Sequence, residues 1–501
     1  MKYKGTYFNM WDAWYLNVND NIHAFHLKSH PGENWNVGHI YTKDLLHFTK
    51  MRDILETLPE EQYPDDCLGK YTGCAVEKDG IYYLYYTMRD HFGSEKIGLA
   101  ISKDLEHFSE YENNPILDLD KELFVVREKG QKTDCRDMFV IYDDERKKYF
   151  GYFAAMANIK DRGELGVIGV AESTDLINWH KQKIIYIPEF NGVIEVPNVF
   201  KIDGKWYMTF MTNTQYGAKG AVSDPNLNSY IIATFSSSPN GIFQCCDDNV
   251  FLGSTRINNG YALRCVEYKN KLYAMYIERS EYGYALSLPK EVKAIDGVIK
   301  PYYTDILNGL RTKNQWDNPD FVRIPATFAW RNVTAGEINK NDKYIEVTGY
   351  KNSLQAFKAS IDSVKSLEVE FNISGDFEEA GLVLYCSDNK IEEIYKTENL
   401  GCLAWADYVW SANYISFDKI NNLISFNKGM VEPINTRQFP FANNNKLNVR
   451  VIAMEGQLEV YINDILFIEC GMETKSHIVP GLFSYSGKAR ISNFKVYELE
   501  N

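Results

Sequence analysis

The chain has little that would take it into or across a membrane. None of its apolar runs approaches the roughly 20 residues of a membrane helix. The opening MKYKGTYFNMWDAW shows no apolar signal region ahead of Asp12, so nothing there directs export. Positive charge is in deficit too, since 54 Lys and Arg against 68 Asp and Glu leave a net charge of −14. That balance argues against a nucleic-acid or anionic-membrane partner and leaves neutral ligands open. The nine cysteines are an odd number, scattered without metal-ligand spacing. No metal and no cofactor are expected, and a reduced, cytoplasmic compartment fits best. Long helical stretches are few and low-complexity segments are missing. Aromatics are plentiful: 35 Tyr and 27 Phe favour an all-β protein whose sheets stack rings.

At 501 residues the chain is too long for one average core, and two domains are the natural expectation. Over the first 300 residues or so a polar turn followed by alternating aromatic and aliphatic residues recurs five times. The copies are NVNDNIHAFHL after Asn17, KDGIYYLYYT after Lys78, DDERKKYFGYF after Asp143, KIDGKWYMTFM after Lys201 and YKNKLYAMYI after Tyr268. Period-two alternation behind a turn reads as a β-hairpin, and hairpins about 60 to 65 residues apart read as the five blades of a β-propeller. A second marker keeps the same beat: YTKDLLHF from Tyr41, ISKDLEHF from Ile101 and ESTDLINW from Glu172 share Ser/Thr-x-Asp-Leu-x-x-aromatic. The propeller is expected over residues 1–307 and a linker over 308–320. Longer alternating strands then predict a β-sandwich over 321–501, with a hairpin turning at Glu455-Gly456.

Three acids share a place in this repeat. Asp12, Asp137 and Glu195 each precede a hairpin turn by about six to eight residues, which puts them on the innermost strands of blades one, three and four. Residues far apart in sequence would then converge on one central cavity. Asp12 and Glu195 lie in apolar sequence, NMWDAW and VIEVPNVF, where a solvated surface acid is out of place.

Splitting a glycosidic bond needs one carboxylic acid to protonate the departing oxygen and another carboxylate to attack or to activate water. Glu195 reads as the acid, because its apolar neighbours would desolvate it and raise its pKa. Asp12 reads as the nucleophile, with Trp11 and Trp14 available as a sugar platform. Arg136 either holds a neighbouring acid in its charged form or grips substrate, and Asp137 would accept hydrogen bonds from sugar hydroxyls. Thr72 and Gly73, on the inner strand of blade two, are candidates for substrate contact or blade packing, and Trp35 for stacking on a sugar. His39 reads as a hydrogen-bonded structural histidine, and His47 and His107 as exposed. Phe48, Phe108 and Trp179 read as packing. The Arg264-Cys265 and Glu278-Arg279 pairs lie in blade five, where either arginine could enter the pocket, although a salt bridge on a blade face is the favoured reading.

Together these segments resemble glycoside hydrolase family 32, the invertases, inulinases and levanases. NMWDAW is similar to the family's nucleophile motif, although nearer to the W-D-S-W of the family 68 levansucrases. WNVGHIYTKDLLHF, YTGCAV, CRDMFV, EVPNVF and ALSLPKEV resemble further family segments in order and spacing along nearly the whole chain. The resemblance implies Asp12 as nucleophile, Glu195 as general acid/base and Asp137 as transition-state stabiliser. It also implies retention of configuration through a covalent fructosyl intermediate, with the Asp12 and Glu195 carboxyls about 5 to 5.5 Å apart.

Several positions depart from the family pattern. Trp11 replaces the Asn before the nucleophile, the Pro-Asn-Gly after it is lost, Leu27 stands where a Gln is usual, and R-D-P has become R-D-M. The expected substrate is a small fructose-containing carbohydrate. Fructosyl transfer, a family 43-like inverting arabinan or xylan glycosidase, and a non-catalytic sugar-binding propeller are the alternatives, and the oligomeric state is open.

Overall fold

A computed structural model describes residues 9–29, 34–57, 67–128, 130–255, 260–280, 283–324, 337–350, 355–387, 412–428, 432–441, 446–472 and 477–500. Regular structure among these is almost all strand, with short 3-10 segments at Thr214–Tyr216 and Asp305–Leu310. No helix among the described residues is long and apolar enough to cross a membrane.

Four antiparallel four-stranded sheets follow one another along the chain. The first is β1 (Asn9–Val18), β2 (Asn21–Ser29), β3 (Asn36–Thr42) and β4 (Phe48–Lys50). The second is β5 (Gly69–Lys78), β6 (Ile81–Arg89), β7 (Glu95–Ser102) and β8 (Ser109–Glu110). The third is β9 (Cys135–Asp143), β10 (Lys148–Ile159), β11 (Gly163–Ser173) and β12 (His180–Tyr186). The fourth is β13 (Glu195–Ile202), β14 (Lys205–Asn213), β15 (Ser229–Ser236) and β16 (Gln244–Ser254). A fifth set, β17 (Tyr261–Tyr268), β18 (Lys271–Ser280), β19 (Gly283–Leu286), β20 (Lys290–Ile295) and β21 (Val298–Tyr302), runs on into the C-terminal strands. The first strands neighbour one another in the cycle β1, β5, β9, β13, β17 and back to β1, which closes the ring of a propeller.

The repeated turns form because their residues tolerate left-handed backbone. Asn19, Asp20, Asp79, Asp203, Lys269 and Asn270 all have φ between 48° and 60°, the tight hairpin geometry that Asn, Asp and Gly accept most readily. The Ser/Thr-x-Asp-Leu motif also has a physical cause. The hydroxyls of Thr42, Ser102 and Ser173 accept from the leucine amides at 2.9–3.0 Å. One carboxylate oxygen of Asp44, Asp104 and Asp175 accepts from the amide two residues on at 2.9 Å. The turn thereby forces Leu45, Leu105 and Leu176 into positive φ and buries them between blades. His47 and His107 lie exposed against Asp44 and Asp104, and Trp179 is buried within the third blade's packing.

The C-terminal strands enclose their own core, with Val369, Phe371, Leu382, Val451, Leu482 and Ile491 among its buried members. Two long strands, Leu367–Ser387 and His477–Leu499, pair along most of their length. Met454 and Gln457 close the hairpin at Glu455-Gly456. Arg311–Asp317, inside the stretch expected to be a linker, is a strand that pairs with Lys495–Leu499. Its polar side chains hide its strand character, because this strand is largely exposed on both sides. Blade five is joined to the C-terminal sheet by the Tyr302–Ile465 pairing and by a buried ion pair between Lys290 and Glu459 at 2.5 Å.

Candidate active site

The site starts from a shared irregularity of the backbone. Each of the five inner strands slips register against its neighbour at one level: at Asp12, at Thr72-Gly73, at Asp137-Met138, at Val196-Pro197 and at Ala262-Leu263. Such a bulge adds one residue, kinks the strand and re-aims a side chain. Asp137, Val196 and Ala262 take positive φ there, at 60°, 55° and 50°, a strained backbone of the kind that persists at functional sites. As a result Asp12, Thr72, Asp137, Glu195 and Tyr261 come from five strands to line one cavity of about 220 Å³.

Asp12 is only 5 % exposed. One of its oxygens accepts a hydrogen bond from the Thr72 hydroxyl, and the other, Oδ1, is buried with no partner. A carboxylate oxygen with free lone pairs is what a nucleophile requires. Asp137 is fixed from both ends: its amide donates to Thr87 Oγ1 at 2.9 Å, and its Oδ2 accepts from the Val196 amide at 3.0 Å. Thr87 in turn donates to the Thr72 carbonyl at 2.9 Å, tying blades two and three together below the acids.

Glu195 meets a cation and a hydroxyl, where its sequence neighbours suggested apolar surroundings. Ile194 and Val196 are buried in the blades, while the carboxylate accepts from Arg136 at 2.8 Å and from the Tyr261 hydroxyl at 2.9 Å. Neighbours along a strand point to opposite faces, so their polarity does not describe the environment of the residue between them. Arg136 divides its guanidinium among Glu195, Glu95 (2.6 Å) and Asp134. Its fork is therefore spent on acids other than the adjacent Asp137.

Burial dominates the electrostatics of the two aspartates. Desolvation pushes the Asp12 carboxyl up to about 7 against the opposing Thr72 hydrogen bond, and the nearby Glu195 charge adds to the rise. Desolvation likewise pushes Asp137 up to about 8, with Glu195 again adding and Arg136 opposing.

Trp11, Trp35, Thr72 and Arg136 line the cavity with the three acids, whereas Trp14 and Gly73 do not. Trp14 is buried against Phe25 in the core between blades one and two. Gly73 supplies close approach, because a Cβ there would run into the carbonyl of Tyr85. Its role is blade packing. His39 is hydrogen-bonded to His23 at 3.0 Å, and burial pushes its pKa down to about 3, so it is neutral.

The largest departure from expectation is Arg264. It is 1 % exposed rather than at a blade face. From β17 its guanidinium donates to the Pro197 carbonyl of β13 and reaches the carbonyls of Gly73 in β5 at 3.4 Å and Asp137 in β9 at 3.3 Å. One side chain thus pins three bulged strands beneath the acids. Glu278 of the neighbouring pair is also buried, and the Arg279 side chain lies outside the described residues.

Sequence reasoning missed Tyr261, Thr87, Glu95, Tyr71 and Arg89, all of which line the cavity. Tyr261 was within reach, since it precedes its turn at Lys269 by about the same count as the acids precede theirs. Its ring lies 4.8 Å from that of Trp11, which contacts Tyr284 edge-on at 4.4 Å.

The model of the "Glycosyl hydrolases family 32 N-terminal domain" matches residues 13–294. The chain belongs to glycoside hydrolase family 32. Three solved structures of similar fold support the assignment of architecture. Sucrose-6-phosphate hydrolase from Lactobacillus gasseri has a TM-score of 0.69 at 16% identity, covering 98% of this chain and 91% of that one. An exo-inulinase from Aspergillus awamori has a TM-score of 0.67 at 15% identity, covering 100% and 98%. Fructan 1-exohydrolase IIa from Cichorium intybus, in complex with 1-kestose, has a TM-score of 0.68 at 13% identity, covering 100% and 97%. This family 32 protein is a glycoside hydrolase built as a propeller followed by a β-sandwich.

Proposed function

We propose that this family 32 enzyme is a retaining β-fructofuranosidase that cleaves a small fructoside through a covalent intermediate on Asp12. The observation that carries the reading is the pairing of two different carboxyls across one cavity. Asp12 keeps a buried oxygen without a partner, whereas Glu195 is held between Arg136 and Tyr261. In this reading Asp12 Oδ1 attacks the anomeric carbon while Glu195 donates a proton to the departing oxygen. Water, activated by Glu195 once it has lost that proton, then releases the fructosyl group with its original configuration. Asp137, fixed by Thr87 and Val196, accepts hydrogen bonds from ring hydroxyls as positive charge develops on the sugar. The reading also draws on the activities of the proteins with similar folds, which are sucrose-6-phosphate, inulin and fructan hydrolysis.

Release of free sugar from sucrose, fructo-oligosaccharides, inulin, levan and arabino-oligosaccharides tests this directly. Fructose released by the wild type and lost in Glu195→Gln is the expected result, with the first-formed sugar retaining its configuration by proton NMR. Release of arabinose with inversion would overturn it.

The pH profile is a second test. Asp12 must lose its proton to attack, so kcat/KM should fall as pH drops through about 7. Burial holds a proton on Asp137 up to about pH 8, and the alkaline limb should begin there. Interacting acids share these steps, so both limbs belong to the cluster. A flat profile from about pH 4 to 8 would contradict the assignment.

A further inference from the structure

A second cavity, of about 600 Å³, opens beside the catalytic pocket. It lies between blades two and three, framed by the turn after β6 and by the connection leading into β9. The two cavities share Glu95, whose carboxylate accepts from the Arg136 that also holds Glu195. One wall residue therefore separates the reacting centre from this groove. The groove runs outward from Thr133 and Cys135, beside the inner strand of blade three, to Pro115 and Leu117 beside the third strand of blade two.

We propose that this groove holds the further units of a neutral oligosaccharide whose terminal unit enters the pocket; the inference rests on the fructoside reading above. Its size falls in the range of about 300–1,000 Å³ typical of small-molecule sites. Its chemistry is that of a sugar face and a sugar edge. Phe92 is 45 % exposed and Val126 36 % exposed, large apolar groups left in water along its wall. The Phe92 ring leans at 45° against that of His91 with centroids 3.6 Å apart, a contact that restrains the platform. Aromatic rings of this kind cover the apolar C–H face of a sugar, while Gln131 and Thr133 offer hydrogen-bonding groups to its hydroxyls.

The same lining disfavours a phosphorylated disaccharide. Asp90, Glu95, Asp118 and Glu128 all border the groove. Of its cations, Arg127 is committed to Glu164 at 2.5 Å and to the Lys132 carbonyl at 2.9 Å. A dianionic phosphate would face those acids, whereas uncharged sugar units would not.

The test is a chain-length series of β-linked fructosides of two to five units, together with sucrose 6-phosphate. kcat/KM is expected to rise about tenfold from two units to four, as one added stacking contact would produce. The double variant Phe92→Ala, Val126→Ser should remove most of that rise. A flat series in the wild type, or a preference for the phosphorylated disaccharide, overturns the proposal while leaving fructoside hydrolysis intact. Calorimetric binding of the same series and of arabino-oligosaccharides to Glu195→Gln separates the two claims. Affinity that grows with arabinoside length, without cleavage of any fructoside, keeps the groove and removes the fructoside reading. Affinity independent of length for every sugar removes the groove.

Discussion

Asp12→Asn is expected to give a folded protein with no useful turnover and a higher melting temperature at alkaline pH. Loss of the attacking carboxylate should lower kcat by about 10⁴-fold or more. The stability gain follows from burial. Folding raises the Asp12 carboxyl from 3.8 to about 7, so the folded state favours the protonated form. Below the unfolded value both states hold the proton and Asp12 imposes no penalty. As pH climbs from about 4 to 7 the unfolded chain releases its proton first, and the folded state loses on the order of a few kcal/mol relative to it. Asparagine never ionises, while its amide oxygen can still accept from Thr72. The melting-temperature gap between variant and wild type should therefore widen from pH 4 to pH 8. Residual turnover above about one per cent would remove Asp12 from the nucleophile's role, and a gap independent of pH would refute the burial argument. Such a gain would identify the site as one where stability is given up for reactivity.

The second large effect is expected at Arg264. Arg264→Met leaves the carbonyls of Pro197, Gly73 and Asp137 without their donor in a buried place. Hydrogen bonds from a charged group contribute about 1.5–3 kcal/mol each, and because two of the three are long, at 3.4 and 3.3 Å, a loss of roughly 3–5 kcal/mol in urea unfolding is expected. The guanidinium charge also opposes the rise of the Asp12 pKa. Its removal should move the acidic limb of the pH–activity profile to higher pH, which a purely structural role would not do. Arg264→Lys keeps the charge without the planar fork. It should hold the limb near its wild-type position while still losing stability. A limb unmoved in Arg264→Met would confine this arginine to architecture.

The hairpin turns could be read from sequence because they depend on local chemistry. Asn, Asp and Gly at Asn19, Asp79-Gly80 and Asp203-Gly204 accept a backbone that other residues resist. Counting back from the turns placed Asp12, Asp137 and Glu195 on inner strands, since strand periodicity is also local. The bulges were not legible, because a register slip is defined against a partner strand that the sequence of one strand does not contain. The surroundings of Glu195 were misjudged for the same reason: Ile194 faces a blade core, and what the carboxylate is bonded to comes from β9 and β17. Arg264 looked like a surface ion pair because three backbone carbonyls leave no mark in composition. The polar strand Arg311–Asp317 resembled a linker because most of it is exposed, and the Glu368, Glu370 and Glu498 partners of its polar side chains lie far along the chain.

The junction between blade five and the C-terminal sheet bears on the order in which the molecule assembles. Lys290 is wholly buried, and the Glu459 that neutralises it lies 169 residues further along the chain. At a synthesis rate of roughly 5–20 residues per second, on the order of ten seconds or more separates the two on the ribosome. Through that interval the ring has four complete blades and a fifth whose flank exposes an ammonium group and the apolar faces that later meet Ile452 and Tyr461. The nascent chain therefore carries an uncovered, apolar blade flank of the kind that invites aggregation until that late hairpin emerges, long after Glu195.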